Sequence, residues 1–336
     1  MILPREVPGL AAEAKVWVDD PSSPAPGADA FRWFFYSSNP PWNPTRHSLA
    51  GVRAAQRELP LKLRNVYAFF TIYAEIDGFD PSRGECRAGR RAARDRALID
   101  RWILSELALA TRAVRAHMDA YLVYESTGVL TDFVDALSNW YVRRSRDRFW
   151  VHGLAQDKLD AHWSLYECLT TLARLLAPFL PFATEDLWRN LVARPFGAAQ
   201  PESVHLADYP EPDLSAIDEP LSREMRAVRE IVSLGRKART ANKLRVRQPL
   251  AAAEVVLSDP ELAPRVLAHE GLVRDELNVH ELHLARDAGA YVTYQVKPNF
   301  RALGPRVGKR MPATKAALAA ADGSALLREF EANGRV

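Results

Sequence analysis

Through the larger, N-terminal part of the chain, apolar residues recur at helical rather than strand spacing. A short helical pattern begins at Ala28 and stops at Asn39-Pro40-Pro41, where proline forbids continuation. From Ser48 to about Ala74 a stripe of Leu63, Val66, Phe69, Phe70 and Tyr73 predicts helix, kinked or divided at Pro60. Trp102, Ile103, Leu107, Ala110, Val114 and Met118 predict a long amphipathic helix from Asp100 to about Tyr124. Leu165, Leu169, Leu172 and Leu176 predict another from Asp157, broken at Pro178 and Pro181. A shorter helix is expected near Thr184, which with Glu185 and Asp186 precedes Leu187, Trp188 and Leu191. Four or five antiparallel helices with short connections make a bundle. A proline-rich connection (195–220) and a helix over about 222–241 follow. The period then changes: 253–257, 281–284 and 291–296 read as strands, and 259–269 and 312–321 as helices, so the last part is a small α/β unit.

The most informative stretch is 128–150. At 100° per residue, Leu130, Phe133, Val134, Leu137 and Tyr141 fall on one buried face, which Arg144 and Arg148 continue. Roughly opposite lie Asn139, Arg143, Arg146 and Trp150. Clustered arginines beside aromatic rings can pair phosphates and stack on bases. Arginines in the last turns of a helix also suit its macrodipole and lay their stems over apolar surface. The pattern alone leaves both readings open. Two other arginine-rich stretches stand out. Residues 78–96 read as a solvated linker carrying Arg83, Arg87, Arg90, Arg91, Arg94 and Arg96, and Arg301, Arg306, Lys309 and Arg310 form a further basic set near the C-terminal end.

Composition narrows the field only modestly. A chain of 336 residues with 48% hydrophobic content fits two or three globular domains, and a net charge of +3 permits a nucleic-acid partner without demanding one. Two cysteines, Cys86 and Cys168, with no CxxC pair, argue against a disulfide framework or a cysteine zinc site and make a reducing cytoplasm the expected compartment. No apolar run is long enough to span a bilayer. The eight histidines include no HxxxH pair; His280 and His283 come closest, and odd spacing on a strand would point them to opposite faces. There is no Gly-rich phosphate loop, and no GxSxG elbow appears. No catalytic and no metal-ligating residue is expected.

Several stretches in order resemble one family. They include Gly27-Ala28-Asp29-Ala30-Phe31-Arg32-Trp33, Asn39-Pro40-Pro41-Trp42-Asn43, Asp100-Arg101-Trp102-Ile103-Leu104 and Ser138-Asn139-Trp140-Tyr141-Val142-Arg143-Arg144. Further on come Val246-Arg247-Gln248-Pro249-Leu250 and Lys297-Pro298-Asn299-Phe300-Arg301-Ala302-Leu303-Gly304. Together they resemble the isoleucyl-tRNA synthetases, class I aminoacyl-tRNA ligases, over about residues 27–336. The resemblance implies a mainly α fold: the anticodon-binding helix bundle of that class, followed by a small, incomplete α/β domain. The expected layout is an irregular leader (1–27), a remnant of the connection after a catalytic domain (28–47), the helical anticodon-binding domain (48–220) and the C-terminal region (221–336).

The implied partner is tRNA, specifically the isoleucine tRNA, gripped at its anticodon stem-loop by Asn139, Trp140, Arg143, Arg146 and Trp150, with Arg144 and Arg148 supporting the helix or reaching neighbouring phosphates. Lys243, Arg245, Arg247 and Gln248 would add contacts where the two regions join. The family's ATP signatures and its editing insertion do not occur in this sequence. The chain is therefore expected to begin where catalysis ends, to hold no cofactor (ATP and magnesium belong to the full-length family enzyme) and to be inactive alone, with a separate chain as one source of the catalytic domain. A stand-alone relative serving as a general RNA-binding or protein-interaction scaffold is the other expectation.

Overall fold

The computed structural model describes residues 25–257, 259–285 and 296–333. These fall into two compact units, one ending at Ser222 and one beginning at Arg223.

In the first unit, α1 (Ala28–Ser37) follows Gly27, whose φ of +83° an L side chain would resist. Ser48 caps α2 (Leu49–Glu58) by accepting from the Gly51 amide at 3.1 Å. Pro60 does not kink one long helix; it opens a new one, α3 (Pro60–Asp77), where its missing N–H costs nothing. Gly78, in the left-handed region at φ +65°, closes α3. A short α4 (Gly84–Ala88) precedes α5 (Leu98–Asp119), which stops earlier than its apolar spacing predicts because Tyr121 takes φ +58°. Then come α6 (Val123–Ala136), a π-helical segment (Leu137–Val142) and α7 (Arg143–Trp150). The helix α8 (Gln156–Leu176) leads to α9 (Pro181–Trp188).

The core sits around α8. Leu165, Leu169, Leu172, Leu175 and Leu176 are fully buried, as are Trp33, Tyr141 and Ile103 from the helices around it. Burial of this kind is the dominant favourable contribution to folding. Polar residues of α8 are buried too, among them Lys158, Asp160, His162 and Ser164, so apolar spacing alone understates how much of this helix faces protein.

The start of α9 departs from the sequence reading. The helix begins at Pro181, not near Thr184, and its cap comes from far away: the Asp29 carboxylate on α1 accepts from the amides of Phe182 (3.4 Å) and Ala183 (2.7 Å). Thr184 instead turns its hydroxyl back to the Leu180 carbonyl.

The second unit holds the rest of α10 (Glu219–Ala241), then β1 (Leu250–Val256), α11 (Ala263–Ala268), α12 (Glu270–Leu277) and β2 (Val279–Ala285). The strands pair in parallel, Leu250 opposite Val279 and Val256 opposite Ala285, which requires the helical crossover between them. Three further helices follow, α13 (Phe300–Val307), α14 (Met311–Ala320) and α15 (Gly323–Asn333). The strand expected at 291–296 lies almost wholly outside the described residues. The helix α12 was not foreseen, because the expected element ended at His269, where the chain breaks and restarts.

Candidate nucleic-acid interface

The stretch 128–150 is one continuous helical run with a π segment in its middle. Hydrogen bonding to the fifth residue accommodates one extra residue and rotates everything after it relative to a regular helix. The consequence is visible side chain by side chain. On an unbroken helix Arg144 and Arg148 continue the apolar stripe; here Ser145 and Phe149 occupy the core, next to Tyr141 and Val142, and of the two arginines Arg148 still turns inward. Trp140 is also buried, at 7% exposure, and so is not available to stack on a base.

Arg148 takes the first of its two expected roles, supporting the helix, and not the second, reaching a phosphate. Its guanidinium enters the protein and holds the fully buried Asp100 bidentately, at 3.0 and 2.7 Å, and the Asp157 carboxylate at 2.8 and 2.9 Å. The Tyr141 hydroxyl donates to the same Asp100 at 2.6 Å. Burial works against the Arg148 charge, but the bonds and charge of Asp100, with Tyr141 and Asp157, outweigh it and hold the guanidinium protonated. Burial, together with Asp100, pushes the Tyr141 phenol well up. Arg148 thus locks α7 to α5 and the start of α8, and its donors are not offered to a ligand.

What remains outward forms a compact strip. Arg146 and Asn139 are exposed, and Arg143 and Arg144 are half-buried. The Arg143 Nε donates to the Asn139 carbonyl at 2.8 Å, while its guanidinium carbon lies 6.0 Å from the Trp140 ring centroid. The buried Trp140 thereby acts as a platform that holds Arg143 in place. Trp150 is 60% exposed, yet its indole N–H is fixed to the Tyr73 hydroxyl of α3 at 2.7 Å. An aromatic surface held at its polar edge loses little freedom when a base stacks on it. Asn139 donates to Asp135 at 2.6 Å, and Lys62 from α3 pairs with the same carboxylate at 2.7 Å. Behind the strip, Lys158 pairs with Asp77 and also donates to the Val151 carbonyl at 2.8 Å, fixing the chain as it leaves α7.

The linker 78–96 is solvated at Arg83, Arg87 and Arg94, which are exposed, but not at its other arginines. Arg91 pairs with the fully buried Asp160, Arg96 is itself buried and holds Glu167 at 3.0 Å, and Arg90 reaches the same Glu167 at 2.7 Å. These arginines staple the linker to α8.

In the second unit, Lys243, Arg245, Arg247 and Gln248 are all exposed on the turn after α10. The residue that builds this turn escaped sequence reading. Arg239, 4% exposed, donates to the carbonyls of Arg245 and Gln248 (3.0 Å each) and of Leu277 (2.6 Å) and Asn278 (3.1 Å). Asn278 returns a bond to the Val246 carbonyl at 3.1 Å. Nothing in the sequence separates Arg239 from its exposed neighbours, because its partners are backbone atoms brought in from another element.

Of the remaining candidates, Arg301 and Arg310 are exposed, and His280 and His283 lie on β2, both exposed. His283 meets only Glu281 among the described acids, at 3.0 Å, and no group of metal-binding side chains occurs among the described residues. No helix of the described residues is long and apolar enough to cross a membrane.

Residues 100–257 match the family of the anticodon-binding domain of tRNA ligase. The chain is 38% identical over 309 residues to an isoleucine–tRNA ligase of Clostridium novyi, covering 92% of this chain and 28% of that protein. It is 42% identical over 309 residues to the one from Thermobifida fusca (91% and 28%) and 45% identical over 266 residues to the one from Dehalococcoides mccartyi (79% and 25%). The chain therefore spans less than a third of the length of these relatives. The match to the anticodon-binding domain runs from α5 to the end of β1, and the similarity of the chain runs along one region of the isoleucine–tRNA ligases.

Proposed function

We propose that the chain is the tRNA-binding portion of an isoleucine–tRNA ligase and grips the anticodon stem-loop of the isoleucine tRNA during aminoacylation. The observation that carries this reading is the strip of Asn139, Arg143, Arg144, Arg146 and Trp150, presented on a helix that Arg148 and Asp100 lock to the core. The positioned guanidinium of Arg143 and the exposed one of Arg146 suit backbone phosphates, and the tethered Trp150 suits an unstacked loop base. Lys243, Arg245, Arg247 and Gln248 supply a second set of contacts on a turn that Arg239 holds open.

The signatures of an ATP-binding part are not among these 336 residues, and in this reading ATP and magnesium belong to the full-length family enzyme. The cytoplasm is where translation would place this activity. The test is a binding titration with isoleucine tRNA and a non-cognate tRNA over a range of salt. Salt-steep binding with cognate preference is the expected result. Equal binding to both tRNAs would reduce the reading to a general RNA surface, and no binding would favour a protein-interaction scaffold.

A further inference from the structure

A cleft of about 460 Å³ opens between α5 and α8, and none of its lining residues belongs to the basic strip. That volume lies in the range of small-molecule sites. The floor is apolar, made by Leu104, Leu107 and Ala108 of α5. One wall is the face of α8 bearing Glu167, Thr171 and Arg174, which follow one another at helical spacing. A neighbouring cavity of about 350 Å³ shares Arg90, Glu167, Thr171 and Arg174, so Arg174 stands where the two meet.

The arginines around this cleft are unequally committed. Glu167 is the single carboxylate between Arg90 and Arg96, and Arg91 is spent on Asp160. The acids on the opposite rim are engaged elsewhere: Glu211 pairs with Arg115 at 2.7 Å, and Asp213 accepts from the amide and hydroxyl of Ser215. Arg174 is half-buried, and its Nε is sealed from solvent with no hydrogen-bond partner. Burial disfavours its charge, against a modest pull from Asp208. No hydrogen bond or ion pair within the described residues takes the Arg174 terminal nitrogens either, and those are the donors that can reach an oxyanion in the cleft. Arg174 and the Thr171 hydroxyl, one turn apart on α8, offer a charged and a neutral donor to the several oxygens of one phosphate.

We propose that this cleft binds a small phosphate monoester with an apolar body, the phosphate on Arg174 and Thr171 and the body over Leu104 and Leu107. The site is independent of the RNA reading and stands or falls without it. The experiment is isothermal titration of the full chain with phenyl phosphate and with inorganic phosphate, repeated on Arg174→Met, Thr171→Val and the Arg143→Ala/Arg146→Ala double variant. Phenyl phosphate should bind saturably and at least about tenfold more tightly than inorganic phosphate, the margin belonging to the apolar floor. Arg174→Met should lose at least about tenfold and Thr171→Val less, while the double variant keeps full affinity. Because Arg174 makes no internal hydrogen bond through Nε, its replacement should leave the thermal midpoint unchanged, which separates lost binding from lost folding. Equal affinity for the two phosphates, unchanged affinity in Arg174→Met, or no saturation by millimolar phenyl phosphate would overturn the proposal. Displacement of phenyl phosphate by tRNA would also overturn it, since the cleft would then be holding an RNA phosphate.

Discussion

Arg148 and Asp100 meet across 48 residues of sequence in a bidentate pair, with bonds of 3.0 and 2.7 Å, at a place where Asp100 has no exposed surface. The carboxylate is fully satisfied, since Tyr141 donates to it as well. Removing the arginine leaves a buried charge with one neutral donor. Arg148→Met should therefore cost on the order of 3–5 kcal/mol, read as a lower urea midpoint with an unchanged denaturant slope. A loss below about 1 kcal/mol, the range of exposed ion pairs, would show that the pair is solvated.

The outward residues should behave in the opposite way. Arg143→Ala and Arg146→Ala should leave stability within about 0.5 kcal/mol. Each should weaken tRNA binding and lower the slope of affinity against salt by about one. Trp150→Ala should weaken binding by about 1–3 kcal/mol with the salt slope intact, because stacking releases no counterions. A fall in slope for Trp150→Ala, or none for the arginines, would reverse these roles.

Arg239 offers a test of the second contact region. Arg239→Lys keeps the charge but not the planar fork that spans four carbonyls. The variant should lose roughly 1.5–3 kcal/mol, as for hydrogen bonds to a charged group, and should bind tRNA more weakly although no exposed cation has been removed. Amide exchange across 242–249 would show the turn loosening; protection equal to that of the parent would rule the role out.

Acid should act through His162. The ring is buried, stacks on Phe79 at 4.8 Å and meets Asp77 at 2.8 Å. Burial lowers its pKa, with Lys158 adding to the effect and Asp77 opposing it. The unfolded chain therefore takes up a proton before the folded one does. This contribution to stability is complete above the ordinary histidine pKa of about 6.5 and is lost as pH falls below it toward the depressed folded value. Urea midpoints at neutral and mildly acidic pH should fall less for His162→Gln than for the parent. Parallel falls would assign the acid sensitivity to another group.

Much of this architecture could be read directly from the chain. The stripes through Leu63, Trp102, Leu130 and Leu165 depend only on local periodicity, and each corresponds to a helix in the structure. The errors have a common origin in long-range contacts. The Asp29 carboxylate moves the start of α9 back to Pro181, the Asp160 and Glu167 carboxylates staple three of the linker's six arginines to α8, and the π segment shifts the phase of α7 by one residue.

The sequence by itself determined that this protein is a helical bundle followed by a small α/β unit and that a basic, aromatic-flanked helix is its most distinctive surface, because apolar spacing and charge clustering are properties of neighbouring residues. The tertiary structure alone decided what each arginine does. Arg146 stays in water, Arg143 rests over Trp140, Arg148 is committed to Asp100, and Arg239 holds four carbonyls. Five donors on a long flexible stem serve any oxyanion or carbonyl within reach, and which ones lie within reach is set by residues far away along the chain.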